Sequence, residues 1–94
     1  LIRCDSQKPE DGSDFLNDLK AKLTPHISDG VKLVGPMPTL MQRRAGRYRH
    51  QIIVQASNRS AVHRMLYLAL QMGKSVKSAR KVAWFVEIDP NEIT

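Results

Sequence analysis

The 94-residue sequence predicts an α+β fold with the order β-α-β-β-α-β. Three observations carry this. Two segments repeat apolar residues at helical spacing, four others are β-branched or alternate in polarity, and Pro, Gly or Asn punctuates the junctions. Two helices on one face of a four-stranded, mainly antiparallel sheet is the economical way to bury both apolar stripes, each β-α-β half using a right-handed crossover. That arrangement is a ferredoxin-like sandwich. The length suits one domain, and a 41% hydrophobic content supplies one core.

Leu1-Ile2-Arg3-Cys4 reads as a short first strand, and Pro9 to Gly12 as a polar break. The first helix runs over 13–23, with Phe15, Leu16, Leu19 and Leu23 on one side. Ser13 or Asp11 caps it, and Asp14 and Asp18 precede Lys20 and Lys22 in the order the helix dipole favours. Thr24-Pro25 ends it. Val31 to Val34 is the second strand, broken by Gly35-Pro36-Met37-Pro38. A basic loop, Gln42 to Arg47, leads into a strand over 48–55. In that strand Tyr48, Ile52 and Val54 face one way, and Arg49, Gln51 and Gln55 the other. Ile53 breaks the alternation, so part of the second face is also covered.

Ser57 or Asn58 caps the second helix, whose apolar stripe is Val62, Met65, Leu66, Ala69, Leu70 and Met72, with Gly73 as C-cap. Lys74, Lys77, Arg80 and Lys81 form a basic connector. The last strand runs from Val82 to Ile88 with Val82, Trp84, Val86 and Ile88 on one face, and Asp89-Pro90 ends it. Trp84 and Phe85 point to opposite faces: one belongs to the core, the other to a sheet face or a neighbouring domain.

The charge pattern is more informative than the net +6. Residues 1–29 hold four basic and six acidic residues, residues 30–86 hold eleven basic and none acidic, and residues 87–94 hold three acids. A cationic field of that extent attracts polyanions, whereas an ordinary solvated surface interleaves both signs. Arg43, Arg44, Arg47 and Arg49 fall within seven residues around Gly46. Guanidinium forks grip phosphate and stack on bases, and Tyr48 among them suits single-stranded nucleic acid. Lys74, Lys77, Arg80 and Lys81 add to the same field. Arg59 and His63, at i and i+4 by the positive end of the second helix, form a corner suited to a carboxylate.

Other chemistries fail on spacing. Gly73-Lys74-Ser75 ends a helix and has Leu68 where a phosphate-binding loop needs glycine. His26, His50 and His63 are scattered, and the single cysteine, Cys4, reads as a buried strand residue, so neither a metal site nor a catalytic site is expected. A disulfide-free chain with no apolar run of membrane-spanning length, and no signal peptide, fits a cytoplasmic domain. The first residue is Leu1 rather than Met, as expected for a piece of a longer chain. An RNA-recognition module shares the element order but needs glycine and aromatics on its third strand, where this chain has Tyr48-Arg49-His50-Gln51.

Val34-Gly35-Pro36-Met37-Pro38, Arg44-Ala45-Gly46-Arg47-Tyr48-Arg49-His50-Gln51-Ile52 and Arg80 to Pro90 together resemble the C-terminal domain family of primosomal protein N′, the PriA replication-restart helicases, and the resemblance runs from Leu1 to the end. It implies a fold similar to a small-subunit ribosomal protein of the S-ten type. It also implies a parent chain that is an ATP-driven 3′-to-5′ DNA helicase, with ATP, magnesium and zinc held by domains absent here and no cofactor in this segment. The implied partners are branched or single-stranded DNA, the acidic, aromatic-ended tail of single-stranded-DNA-binding protein, the other helicase lobes and primosome proteins, with no membrane and a place in the bacterial nucleoid. Arg59 matches the family's tail-binding arginine, while His63 stands where glutamine is frequent and Tyr48 where tryptophan is common. The competing expectations are a ribosomal-protein-like RNA-binding module and a domain that only docks other lobes of its own chain.

Overall fold

The computed structural model describes residues 1–27, 30–44 and 46–87, with backbone only for 40–44. The elements are β1 (Ile2–Ser6), α1 (Pro9–Leu23), β2 (Val31–Arg44), β3 (Arg47–Ala56), α2 (Arg59–Gly73) and β4 (Val82–Val86), with 3-10 turns at Thr24–His26 and Lys77–Lys81. The sheet order is β2-β3-β1-β4, antiparallel throughout, so the predicted ferredoxin-like α+β sandwich is what forms. Both helices supply one layer. Phe15, Leu16, Leu19 and Leu23 of α1 and Val62, Met65, Leu66 and Ala69 of α2 bury Ile2, Cys4, Ile52 and Val54 of the central strands. Fully burying one such Leu, Ile or Phe side chain contributes roughly 1.5–3 kcal/mol.

Helix α1 begins at Pro9, four residues before the expected start. Proline at the first helical turn has its φ preset, and Glu10 and Asp11 sit at the positive end of the helix. Neither Ser13 nor Asp11 caps it. The cap position is Lys8, in extended backbone with no side-chain cap, and Ser6 Oγ donates to the Lys8 carbonyl at 2.6 Å. Gly12 is buried inside the helix because α1 presses onto β1 and β3 there. A Cβ at Gly12 would lie 3.0 Å from both His50 Nδ1 and Ser6 Oγ. At α2 the expected cap holds: Asn58 Oδ1 accepts from the Ala61 N–H at 2.8 Å.

The expected break at Gly35–Pro38 is a distortion within a continuous strand. β2 pairs with β3 from Val31↔Ala56 to Arg44↔Arg47, with register shifts between Val34 and Met37 and between Pro38 and Arg43. β2 is an edge strand with register shifts around these prolines, the setting in which a sheet tolerates proline. Gly35 takes φ 117°, and a Cβ there would come within 2.8 Å of the Gln51 carbonyl oxygen. The basic loop is therefore mostly hairpin: Arg43 pairs with Tyr48 and Arg44 with Arg47, and Gly46 at the tip has φ 78°.

Three further expectations are revised. Leu70 is 40% exposed, and Leu68 packs against the core instead, because the buried stripe runs Ala61, Val62, Met65, Leu66, Ala69 and Gly73. Gly73 is the last helical residue rather than a left-handed cap, since Lys74 after it keeps helical dihedrals of −64° and −25°. A glycine is needed there because a Cβ would run into the Trp84 indole. That indole turns inward and lies 5.3 Å from the Phe15 ring, centroid to centroid, tilted 41°. β4 ends at Val86, and Ile88 with Asp89-Pro90 lies outside the described residues.

His50, absent from the predicted alternation, faces the core and is 6% exposed. Its Nδ1 is buried with no hydrogen-bond partner among the described atoms, and burial lowers its pKa from 6.5. Cys4, opposite it in register, is buried as expected. Its thiol donates to the Gly12 carbonyl oxygen at 3.5 Å, and burial, helped by the nearby Asp5 charge, pushes its pKa to about 12.

Candidate nucleic-acid interface

Strand alternation decides which basic residues share a surface. On β3 the even-numbered residues His50, Ile52 and Val54 are buried beneath the helices, so Arg47, Arg49, Gln51 and Ile53 lie on the open face of the sheet. Register continues each row across the strands. Gln51 is level with Arg3 and Phe85, and Arg49 with Asp5 and Ala83.

Two arginines on this face meet carboxylates from the acidic ends of the chain. Arg49 grips Asp5 in two-pronged fashion, Nε to Oδ1 at 2.8 Å and Nη2 to Oδ2 at 3.2 Å. That bond raises the Arg49 pKa further above its already high value. Arg3 Nη1 meets Glu87 Oε2 at 2.6 Å, and Arg3 Nε donates to Gln51 Oε1 at 3.3 Å. Arg49, expected as a phosphate contact, thus has its fork engaged by a residue 44 positions away in sequence. Only strand pairing reveals this, because the stretch around Arg49 contains no acid.

Charge left over collects at one end of the sheet. Lys8, Arg47, Arg80 and Lys81 line an open hollow of about 430 Å³ with Asp11 as the one carboxylate. Three chain segments build it. The turn from β1 into α1 brings Lys8, the first residue of β3 brings Arg47, and the 3-10 turn Lys77–Lys81 delivers Arg80 and Lys81 beside the start of β4. Arg47 Nη2 makes a long 3.5 Å contact to the Asp5 carbonyl oxygen. Four cations against one carboxylate leave a strong local preference for anions.

The remaining predicted residues are distributed differently. Lys77 and Lys81 border a second hollow lined by Asp11, Asp14 and Asp18 of α1, where acids outnumber bases, and Ser78 Oγ donates to Asp18 Oδ2 at 2.7 Å. Lys74 and Lys77 line a third with Arg80 and Trp84. Tyr48 pairs with Ser6 and shares the helix-side parity of His50, so it does not interleave with Arg47 and Arg49. Arg59 and His63 are both exposed at the start of α2, in the helical layer. The side chains of Arg43 and Arg44 lie outside the described residues, although their backbones pair with Tyr48 and Arg47 at the hairpin tip. Lys8 was missed because it belongs to the net-acidic first third of the chain. Its one sequence signal is its place before the proline that opens α1.

Among the described residues no group of three or more His, Cys, Asp or Glu is arranged to hold a metal ion, and no helix is long and apolar enough to cross a membrane.

The fold and this hollow define a class: a small α+β sandwich with a cationic hollow at one end of its sheet. The family follows from comparison with known proteins. Residues 1–91 match the primosomal protein N C-terminal domain, and the chain belongs to that family. The replication restart protein PriA of Buchnera aphidicola subsp. Acyrthosiphon pisum is 27% identical over 59 residues, which is 63% of this chain and 8% of that protein's length. The chain therefore spans a small part of the curated relative it matches.

Proposed function

We propose that this chain is the DNA-binding and partner-docking domain, itself without catalytic activity, of a cytoplasmic replication-restart helicase whose motor and zinc-binding parts lie elsewhere in a longer protein. It helps recognise stalled-fork and single-stranded DNA through the cationic hollow, with the Arg43–Arg44 hairpin and Lys74 and Lys77 extending the field. Arg59 and His63 receive the acidic tail of single-stranded-DNA-binding protein on the helical layer. The observation that carries the DNA reading is the convergence of Lys8, Arg47, Arg80 and Lys81 on one hollow despite two carboxylates reaching into the sheet face. Family membership supports it, because the matching relative is named a replication restart protein.

Salt dependence tests it. Each phosphate contact adds roughly 0.7 to the slope of log affinity on log salt for single strands, so four cations imply a slope of about −3. Arg47→Glu with Lys81→Glu weakens binding and removes at least about half of that slope, two of the four contacts. Absence of binding at low salt, or binding indifferent to salt, rejects the reading. Tighter binding to structured RNA than to fork DNA favours an RNA module instead.

A further inference from the structure

We propose, resting on the DNA reading above, that Phe85 on the open face of the sheet is a stacking platform for an unpaired base of the same single strand whose phosphates occupy the cationic hollow. Phe85 is 40% exposed, and the other exposed large hydrophobic residues among those described, Tyr67 and Leu70, lie on α2 in the opposite layer. The alternation of β4 sends Trp84 into the core and Phe85 outward.

The setting of the ring suits a base better than an apolar protein surface. In register it stands beside Arg3, with Gln51 one strand further on, and Arg3 is fixed between Glu87 and Gln51. Among the described residues, the ring is therefore edged in register by a held guanidinium, with an amide and a carboxylate as that guanidinium's partners. These groups offer hydrogen bonds to the edges of a base lying on the ring. Ala83, the next outward residue on β4, is small and exposed, and it also lines the hollow. The path from hollow to ring thus passes over a methyl group, a step of about 7 Å for two strand residues. Stacking needs an open base face, which a single strand presents along its length and a duplex only at its two terminal pairs.

The test uses the 94-residue chain and an oligothymidylate carrying one 2-aminopurine, beside a blunt duplex of equal length. The wild-type chain quenches the 2-aminopurine. Phe85→Ala removes the quenching and weakens single-strand binding roughly 5- to 150-fold, leaving duplex affinity and the salt slope as they were. Phe85→Tyr retains both signals, and Phe85→Leu, which keeps apolar bulk without a ring, behaves as Phe85→Ala. An unchanged thermal midpoint certifies that each variant is folded. Single-strand affinity indifferent to Phe85→Ala, an equal loss for duplex and single strand, or full affinity in Phe85→Leu overturns the platform while the phosphate hollow stands. A wild-type chain that binds neither DNA overturns both.

Discussion

Gly73 shows how much one missing atom settles. In sequence it looks like a helix stop. In the fold it is the gap into which the Trp84 indole fits, and Trp84 in turn rests on Phe15. Gly73→Ala should therefore destabilise the domain by about 1–3 kcal/mol through overpacking, against a helix-propensity gain of at most about 1 kcal/mol. A fall in the urea midpoint at constant slope checks this, and an unchanged midpoint shows that the indole can move. His50 makes the second residue-scale prediction. Its pKa is lowered in the fold by burial, so the unfolded chain binds its proton first. The stability it confers is complete above the unfolded value of about 6.5 and is lost as pH falls below that toward the folded value. The thermal midpoint should drop between pH 7 and 5, and His50→Gln should flatten that slope. A slope identical in the variant removes His50 as its cause.

At the scale of elements, what the sequence shows depends on whether the deciding contact is local. Phe15, Leu16, Leu19 and Leu23 announce α1, and Asn58 announces the start of α2, because spacing and capping are matters of three or four residues. Strand faces on β4 are equally plain from Val82, Trp84 and Val86. The errors fall where a distant strand decides. Pro36 and Pro38 look like a terminator until β2 is seen to be the edge strand, where a sheet tolerates proline. Gly12 looks like a turn residue until Cys4, Ser6 and His50 are seen beneath it. The same holds for the site. The arginine run of 43–49 is visible, but pairing puts Tyr48 on one side of β3 and Arg47 and Arg49 on the other, and hands Arg49 to Asp5. Lys8 reaches the hollow only through the packing of three chain segments, and Phe85 meets Arg3 only through register, neither of which a single sequence encodes over such separations.

On the whole molecule the two proposed ligand surfaces sit on different layers: the hollow at one end of the sheet, Arg59 and His63 on the helical side. Titrating the chain with fork DNA should shift amide resonances around Lys8, Arg47, Arg80 and Lys81. A subsequent acidic, aromatic-ended peptide should shift those around Arg59 and His63 without displacing the DNA. Competition between the two ligands, or one common set of shifted resonances, contradicts separate surfaces.

The prolines of β2 have a further effect. An outer strand of 14 residues would ordinarily be a template on which a second chain could hydrogen-bond, the route into fibrils and swapped dimers. Pro36 and Pro38 leave the middle of that strand with fewer amide donors, and the left-handed bend at Gly35 spoils its straightness, while the opposite rim, β4, is only five residues long. A chain whose two helices cover only one face of its sheet is thereby guarded at both rims against coalescing with copies of itself.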